Sequence, residues 1–206
     1  MAESTVAPTP ERVEFWFDPA CPWAWMASRW IDDVAAQRDF DVEWNIMSLA
    51  ILNEGRENDE HAAAHKRSFR AGLVVAAVAA ELDNASVKAL YDAIGTRVHP
   101  GGRDIDDALI REAAAETGIP EELVERGLNG EFEEQYRASH AEGIGRVGQD
   151  VGTPVIAIDG VAFFGPVISP APKGEEALRL FDGVVAAASY EGFFELKRSR
   201  TRGPQF

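Results

Sequence analysis

Two kinds of hydrophobic periodicity divide this chain into three consecutive parts. Near the N-terminus, alternating apolar residues predict strands at residues 13–17 and 42–46, and apolar residues three or four apart predict a helix between them. Residues 59–149 show only helical spacing, interrupted by Gly and Pro. Beyond this block, two strand-like runs flank Asp159-Gly160, a typical two-residue hairpin turn, and an amphipathic helix follows.

The order of these elements predicts the fold. The first two strands are joined through a helix and should be parallel, whereas the hairpin strands should be antiparallel to each other. A βαβ unit, a helical block and a ββα unit predict an α/β protein with a thioredoxin fold that carries an all-helical insertion. The expected parts are a disordered lead over residues 1–11, a thioredoxin-fold domain made of residues 12–58 and 150–206, and a helical insertion subdomain over residues 59–149.

The charge balance excludes several classes of partner. The chain has 20 Lys and Arg against 35 Asp and Glu, a formal net charge of −15 that would repel nucleic acid and anionic membranes. No stretch approaches the roughly 18 apolar residues that span a bilayer, and the first residues lack the basic and apolar regions of a signal peptide. A single cysteine cannot form an internal disulfide. We therefore expect a cytoplasmic protein without nucleic-acid or membrane partners.

That cysteine, Cys21, stands where the turn after the first strand meets the helix. Pro22 suits the first helical position, so Cys21 is predicted to be the N-cap residue of the helix. Free backbone N–H groups and the positive end of the helix dipole would then lie beside its sulfur and lower the pKa of the thiol. The alternative is a buried and inert cysteine. The position at a helix N-terminus favours a chemical role.

Several segments resemble a known family. The run FWFDPACPWAWMASRW is similar to the active-site segment of DsbA-type thioredoxin-fold proteins, and it most resembles that of actinobacterial mycothiol-dependent nitroreductases, many of which carry Cys-Pro-Trp-Cys. The resemblance continues through MSLAILNEGRE at residues 47–57 and DVGTPVIAIDGVAFFGPV at residues 150–167. It ends at FFELKRSRTRGPQF, residues 193–206, and the helical block matches mainly in its layout.

This resemblance implies roles for residues in these segments. The cysteine corresponds to the family's nucleophile, at the start of the active-site motif. A Thr-Pro pair corresponds to the cis-proline loop of thioredoxin folds, which faces that cysteine and offers backbone groups to a bound thiol or peptide. A tryptophan and an asparagine correspond to positions near the substrate. The implied site residues are Cys21, Pro22, Trp23, Ala24, Asn53, Thr153 and Pro154.

Ala24 departs from the dithiol pattern. A dithiol enzyme releases its product when a second cysteine attacks the mixed disulfide on the first, and Ala24 occupies the position of that second cysteine. A small thiol from solution would have to resolve Cys21 instead, as in monothiol glutaredoxins. The resemblance implies mycothiol as this thiol cofactor, a disulfide or electrophilic small molecule as substrate, and a homodimer as the assembly.

Two other functions remain open from the sequence. The chain could be a transferase or isomerase that binds a thiol cofactor non-covalently, as kappa-type glutathione transferases and chromene-carboxylate isomerases do with a similar fold. The missing second cysteine favours this alternative, because the bound cofactor would then supply the reacting thiolate. The chain could also be a binding scaffold with an inert Cys21. The motifs favour the thiol-disulfide oxidoreductase.

Two weaker patterns are interpreted without a ligand. His61 and His65 could share a helix face near Glu57 and Glu60, but no third zinc ligand is spaced convincingly, so a charged helix start is favoured and no metal is expected. The Gly-x-Gly-x-x-Gly pattern at residues 143–148 follows a predicted helix rather than a strand, so no nucleotide is expected.

Three aromatic and basic features remain to be placed. Trp30 lies on the apolar stripe of the first helix and is expected in the core, whereas Trp25 lies off that stripe and should face solvent or the helical subdomain. The basic C-terminal residues could pair with an anionic ligand or a partner subunit, but a solvated tail is the favoured interpretation. These basic residues are Lys197, Arg198, Arg200 and Arg202.

Overall fold

The four strands form one mixed sheet. The computed structural model describes residues 9–55 and 62–206. Strand β1 pairs in parallel with β2 and antiparallel with β3, and β3 pairs antiparallel with β4, which gives the order β2-β1-β3-β4. The predicted strands and their relative directions are confirmed. Their bounds are Val13–Phe17 for β1, Val42–Ile46 for β2, Val155–Ile158 for β3 and Val161–Phe164 for β4.

The hairpin turn has the conformation that its sequence predicts. Asp159 has a φ of 48° and Gly160 a φ of 88°, so both central residues are left-handed, as a type I′ turn requires. The turn is also tied to the start of β1, because the Arg12 N–H donates to the Asp159 carboxylate over 2.9 Å and the Asp159 N–H donates to the Arg12 carbonyl over 2.9 Å. These bonds hold the hairpin against the central strand.

The described residues form eight helices. Five of them, α3 to α7, fall within the predicted helical block, where the described residues contain no strand. The helix bounds are Pro22–Arg38 for α1, Leu49–Leu52 for α2, Ala62–Glu81 for α3, Asn84–Val98 for α4, Asp107–Glu116 for α5, Glu121–Leu128 for α6, Glu133–Gly145 for α7 and Gly174–Ala188 for α8.

The starts of α2 and α6 lie at identifiable N-cap residues. The short helix α2 begins shortly after β2 because the Ser48 hydroxyl accepts the Ile51 N–H over 3.2 Å and caps it. Pro120 is the N-cap residue of α6, which begins at Glu121.

Both faces of β1 are buried, since the strand is central in the sheet. Phe15 and Phe17 belong to the main core, which also contains Trp30 at 0% exposure, as predicted. Trp16 points to the opposite face and packs in a smaller cluster with Met47 and Ile144. The sheet is therefore covered on two sides, and the C-terminal end of β1, where the active-site turn begins, is held firmly.

Aromatic contacts join α1 to the helical block. The Trp25 ring lies edge-on to Tyr91 of α4 with centroids 5.8 Å apart, and the Tyr91 ring stacks on Phe17 at 3.8 Å. Trp25 also packs against Gly95, where a Cβ atom would lie 2.2 Å from the ring. Trp25 was predicted to face either solvent or the helical subdomain, and in the structure it faces the helical subdomain. The helix that begins at the cysteine is fixed to α4 through this ring.

Some sequence predictions fall outside the described residues. The zinc alternative involved Glu57, Glu60 and His61, and the predicted disordered lead lies mostly in residues 1–8. Within residues 9–55 and 62–206, no three His, Cys, Asp or Glu side chains converge as metal ligands. Within the same ranges, no helix has both the length and the apolar character that crossing a bilayer requires.

Candidate active site

Cys21 is the N-cap residue of α1, as the sequence predicted. Its backbone is extended, with φ −78° and ψ 112°, and Pro22 occupies the first helical position. The Cys21 sulfur accepts the backbone N–H of Ala24 over 3.4 Å, and the Cys21 carbonyl accepts the N–H of Trp25 over 3.0 Å. The sulfur thus lies at the helix N-terminus, where free N–H groups concentrate positive charge.

The loop before β3 lies against the same sulfur. The Thr153–Pro154 peptide bond is cis, and the Cys21 thiol donates to the Thr153 carbonyl over 3.4 Å. The Thr153 hydroxyl is buried and has no hydrogen-bond partner within the described part of the chain. A buried hydroxyl without a partner is costly, so this group is available to a sulfur anion or a bound ligand.

Burial raises the pKa of the Cys21 thiol, whereas the sequence analysis expected the helix N-terminus to lower it. The residue is only 5% exposed, so the loss of hydration for a thiolate outweighs the nearby donors. The negative charge of Asp18 adds to the rise in pKa, while the Thr153 hydroxyl and the Ala24 N–H oppose it. The thiol is therefore protonated at neutral pH in the resting structure.

Asp18 organises the active-site turn, a role that the sequence analysis missed. Its carboxylate is fully buried and accepts the N–H of Ala20 over 2.9 Å, the N–H of Leu49 over 2.8 Å and the hydroxyl of Ser68. Burial raises the pKa of Asp18. One side chain thus ties the turn before Cys21 to α2 and α3. An Asp directly after a buried strand was visible in the sequence, but its partners are distant along the chain.

Ala24, Trp23 and Asn53 have different surroundings. Ala24 is fully buried beneath the cysteine, while Trp23 is half-buried at the edge of the site. Asn53 is the C-cap residue of α2, and its side-chain amide donates to the Leu49 carbonyl over 2.7 Å. The structure thus brings both Ala24 and Thr153 into contact with Cys21, and it uses the Asn53 amide within its own helix. Substrate contact by Asn53 stays a prediction.

His99 supports the other side of the turn. Its Nε2 atom lies 3.0 Å from the Pro19 carbonyl, which can only accept, so this nitrogen carries the proton of the neutral ring. The imidazole stacks on Trp25 with centroids 5.4 Å apart. Burial lowers the pKa of His99 to about 4. A neutral histidine therefore holds the residue two positions before Cys21.

The C-terminal residues cross this region. The Arg200 guanidinium lies over the Trp23 ring, 5.1 Å from its centroid, and the Phe206 ring lies 5.4 Å from the His99 ring. Between these points, the Ser169 hydroxyl donates to the Gly203 carbonyl over 2.9 Å. The basic side chains are exposed, as the favoured interpretation predicted, but the segment that carries them contacts Trp23, His99 and Ser169.

Comparison with known proteins gives a consistent family. The model of the Rv2466c-like family, which is described as mycothiol-dependent nitroreductase Rv2466c, matches residues 20–198. The chain is 30% identical over 196 residues to the uncharacterized protein Rv2286c of Mycobacterium tuberculosis, a match that covers 92% of this chain and 82% of that protein.

Solved structures with the same fold are more distant in sequence. The cytosolic disulfide reductase DsbM of Pseudomonas aeruginosa, determined with GSH, is 17% identical with a TM-score of 0.55, over 85% of this chain and 98% of that one. DsbG of Mycobacterium tuberculosis is 17% identical with a TM-score of 0.54, over 89% of this chain and 85% of that one. DsbA of Xylella fastidiosa is 20% identical with a TM-score of 0.52, over 88% and 88%. These similarities establish a DsbA-like thioredoxin fold.

Proposed function

This chain belongs to the Rv2466c-like family of mycothiol-dependent nitroreductases, and from that premise we propose that it is a monothiol thiol-disulfide oxidoreductase. Cys21 is the nucleophile, and the reductant is a low-molecular-weight thiol. The description of the family indicates that this thiol is mycothiol. The observation that carries the proposal is the position of the Cys21 sulfur, at the N-terminus of α1 and in contact with the cis-proline loop. Buried Ala24 beside it makes the cycle a monothiol one.

The chemistry divides into two exchange steps. The Cys21 thiolate attacks one sulfur of a disulfide substrate, the substrate S–S bond breaks, and the other half leaves as a thiolate. Cys21 is then held in a mixed disulfide. A small thiolate attacks the substrate-derived sulfur, which restores the Cys21 thiolate and produces a new disulfide. Each cycle thus consumes one small thiol: one half of the substrate leaves as a thiolate, the other half leaves in a disulfide with the small thiol, and no second protein thiol is needed.

The residues around Cys21 fit a thiol-containing ligand. The Ala24 N–H and the unpartnered Thr153 hydroxyl are donors that stabilise sulfur carrying negative charge, either on Cys21 or on a leaving group. Because burial raises the pKa of Cys21, formation of the thiolate at neutral pH costs free energy. The two donors lower this cost. Mycothiol when bound supplies the reducing thiol.

The finer features of the proposal come from the sequence resemblance. Trp23 and Asn53 bind the substrate, which is a disulfide or an electrophilic small molecule. Each two-electron step in the reduction of a nitro compound would need two thiols from solution, since the chain has one cysteine. A homodimer and a cytoplasmic location are further parts of the proposal, and the measured oligomeric state and cell fractionation test them separately.

The mass of the intact protein tests the proposal. Incubation with oxidised mycothiol should increase the mass of the protein by one mycothiol less two hydrogens, and reduced mycothiol should reverse this increase. Cys21→Ser is the control and should gain nothing. A reactive Cys21 that forms no adduct, or a Cys21→Ser protein with full reductase activity, would contradict a covalent monothiol cycle.

One observation favours a second candidate, a transferase or isomerase that holds its thiol cofactor non-covalently. Burial raises the pKa of Cys21, so a bound small thiol could be the more readily ionised group. The N-terminus of α1 would then stabilise the cofactor thiolate. Conjugation of a thiol to an electrophile that persists in Cys21→Ser, without any protein adduct, would identify this function instead.

A further inference from the structure

Arg200 is an unneutralised cation in a strongly acidic protein. The formal net charge is −15, and many of the other arginines pair with carboxylates, as Arg38 does with Asp182 at 2.8 Å and Arg126 with Glu131 at 2.6 Å. Within residues 9–55 and 62–206, no Asp or Glu forms an ion pair with Arg200. Its contact is with an aromatic face, which leaves the guanidinium N–H donors unused.

Arg200 also contacts a residue of the active-site motif. Its guanidinium lies 5.1 Å from the centroid of the Trp23 ring, and Trp23 follows Cys21 by two residues. Farther along, Phe206 packs on His99, whose Nε2 atom bonds the carbonyl of Pro19, two residues before Cys21. The C-terminal segment 200–206 therefore contacts Trp23, two residues after the cysteine, and His99, which holds the turn before it. Arg200 belongs to the rim of the site and not to a free tail.

A cation at this rim has a chemical use. A guanidinium that stacks on an indole ring keeps its N–H groups directed outward, in a planar arrangement that matches a carboxylate or another planar anion. The overall negative charge of the protein repels anionic molecules. A positive group beside Cys21 would offset this repulsion at the point where a substrate must approach the sulfur.

We infer that Arg200 is a substrate-binding residue that gives the site a preference for anionic disulfides and electrophiles, whose charged group it binds while Cys21 reacts. This inference rests on the proposed function, because it assigns the substrate class of the same cysteine. It concerns the oxidised substrate and not the thiol that resolves Cys21.

Alkylation rates separate the inference from the proposed function. Iodoacetate and iodoacetamide both react when the Cys21 thiolate displaces iodide, and they differ in charge. The rate of alkylation by iodoacetate is divided by the rate by iodoacetamide, both measured on the full chain by intact mass. This ratio is then divided by the same ratio for free cysteine. In Arg200→Gln the ratio should fall by roughly three- to fivefold, the effect expected of one exposed ion pair. Raising the salt concentration to about 1 M should remove most of this difference.

Matched variants make the result specific. Arg198→Gln removes an equal charge two residues away, from a side chain that has no contact with the Trp23 ring within the described residues, and should leave the ratio within about 1.5-fold of the unmodified chain. Arg200→Lys retains the charge and should preserve most of the ratio. An unchanged ratio in Arg200→Gln, with Cys21 reactive toward both reagents, overturns the inference and leaves the proposed function standing. If neither reagent alkylates Cys21, both the proposed function and the inference are overturned.

Discussion

The backbone N–H of Ala24 donates to the sulfur of Cys21 over 3.4 Å, so the first and last residues of the Cys-Pro-Trp-Ala motif are in direct contact. Ala24 is fully buried, and its side chain adds no polar group near the sulfur. The motif therefore keeps the helix-capping geometry of a dithiol site while it lacks the group that would resolve a mixed disulfide.

Replacement of Ala24 by cysteine should convert the site to dithiol chemistry. In Ala24→Cys the introduced thiol lies one helical turn from Cys21, where an intramolecular disulfide can form. Mild oxidation should lower the intact mass by two hydrogens, and the mycothiol adduct should no longer accumulate because the second thiol displaces it. Ala27→Cys, one turn farther along α1, is the control and should form no such disulfide. Persistence of the mycothiol adduct in Ala24→Cys would contradict this expectation.

Loss of the Thr153 hydroxyl should make Cys21 less reactive. The hydroxyl opposes the rise in the pKa of Cys21 caused by burial, so Thr153→Val should raise that pKa further. At pH 7 the rate of alkylation by iodoacetamide should fall by roughly three- to tenfold. The measurement is the alkylation rate as a function of pH. Thr153→Ser retains the hydroxyl and should behave like the unmodified chain; an equal loss in both variants would assign the effect to packing.

A methyl group at Gly95 should loosen the contact between α1 and α4. The added Cβ atom would lie 2.2 Å from the Trp25 ring, which is itself buried and cannot move away freely. Gly95→Ala should therefore lower the free energy of unfolding by about 2 kcal/mol, as overpacking does. Gly183→Ala, in α8, meets no atom within 4 Å and should stabilise the protein by up to about 1 kcal/mol. Urea unfolding measures both, and an unchanged stability of Gly95→Ala would show that Trp25 can reposition.

The sequence predicted what depends on neighbouring residues. Cys21 as a helix cap and Asp159-Gly160 as a hairpin turn each follow from short patterns, and the structure has both. The resemblance to a family located the loop at Thr153. The parallel pairing of β1 with β2 and the antiparallel hairpin of β3 and β4 also followed, because a helix crossover and a two-residue turn each restrict how strands can pair.

The sequence did not predict what depends on distant residues. Asp18 is a buried hub because Leu49 and Ser68 reach it from other helices. Arg200 lies on Trp23 because the chain returns to the site at its end. The direction of the Cys21 pKa shift was wrong for the same reason, since the burial that raises it is produced by the whole fold and outweighs the local effect of the helix N-terminus.

Acid should weaken the fold through His99. Burial lowers the pKa of this histidine from 6.5 to about 4, so the unfolded chain takes up a proton at a higher pH than the folded one. Above pH 6.5 the His99 ring is neutral in both the folded and the unfolded chain, so its full contribution to stability is present. Between pH 6.5 and 4 the unfolded chain binds a proton that the folded chain does not, and the free energy of unfolding falls. By pH 5 the loss attributable to His99 should be about 2 kcal/mol.

Urea unfolding at pH 7.5 and pH 5.0 measures this effect. His99→Gln keeps an N–H donor for the Pro19 carbonyl but cannot titrate, so its free energy of unfolding should fall less between the two pH values, by about 2 kcal/mol. Burial also lowers the pKa of His140, and because that residue remains in both proteins, its contribution cancels in the comparison. An equal fall in the free energy of unfolding of both proteins would show that His99 binds its proton as readily in the folded chain as in the unfolded one. The contact with Pro19 would then tolerate a charged ring.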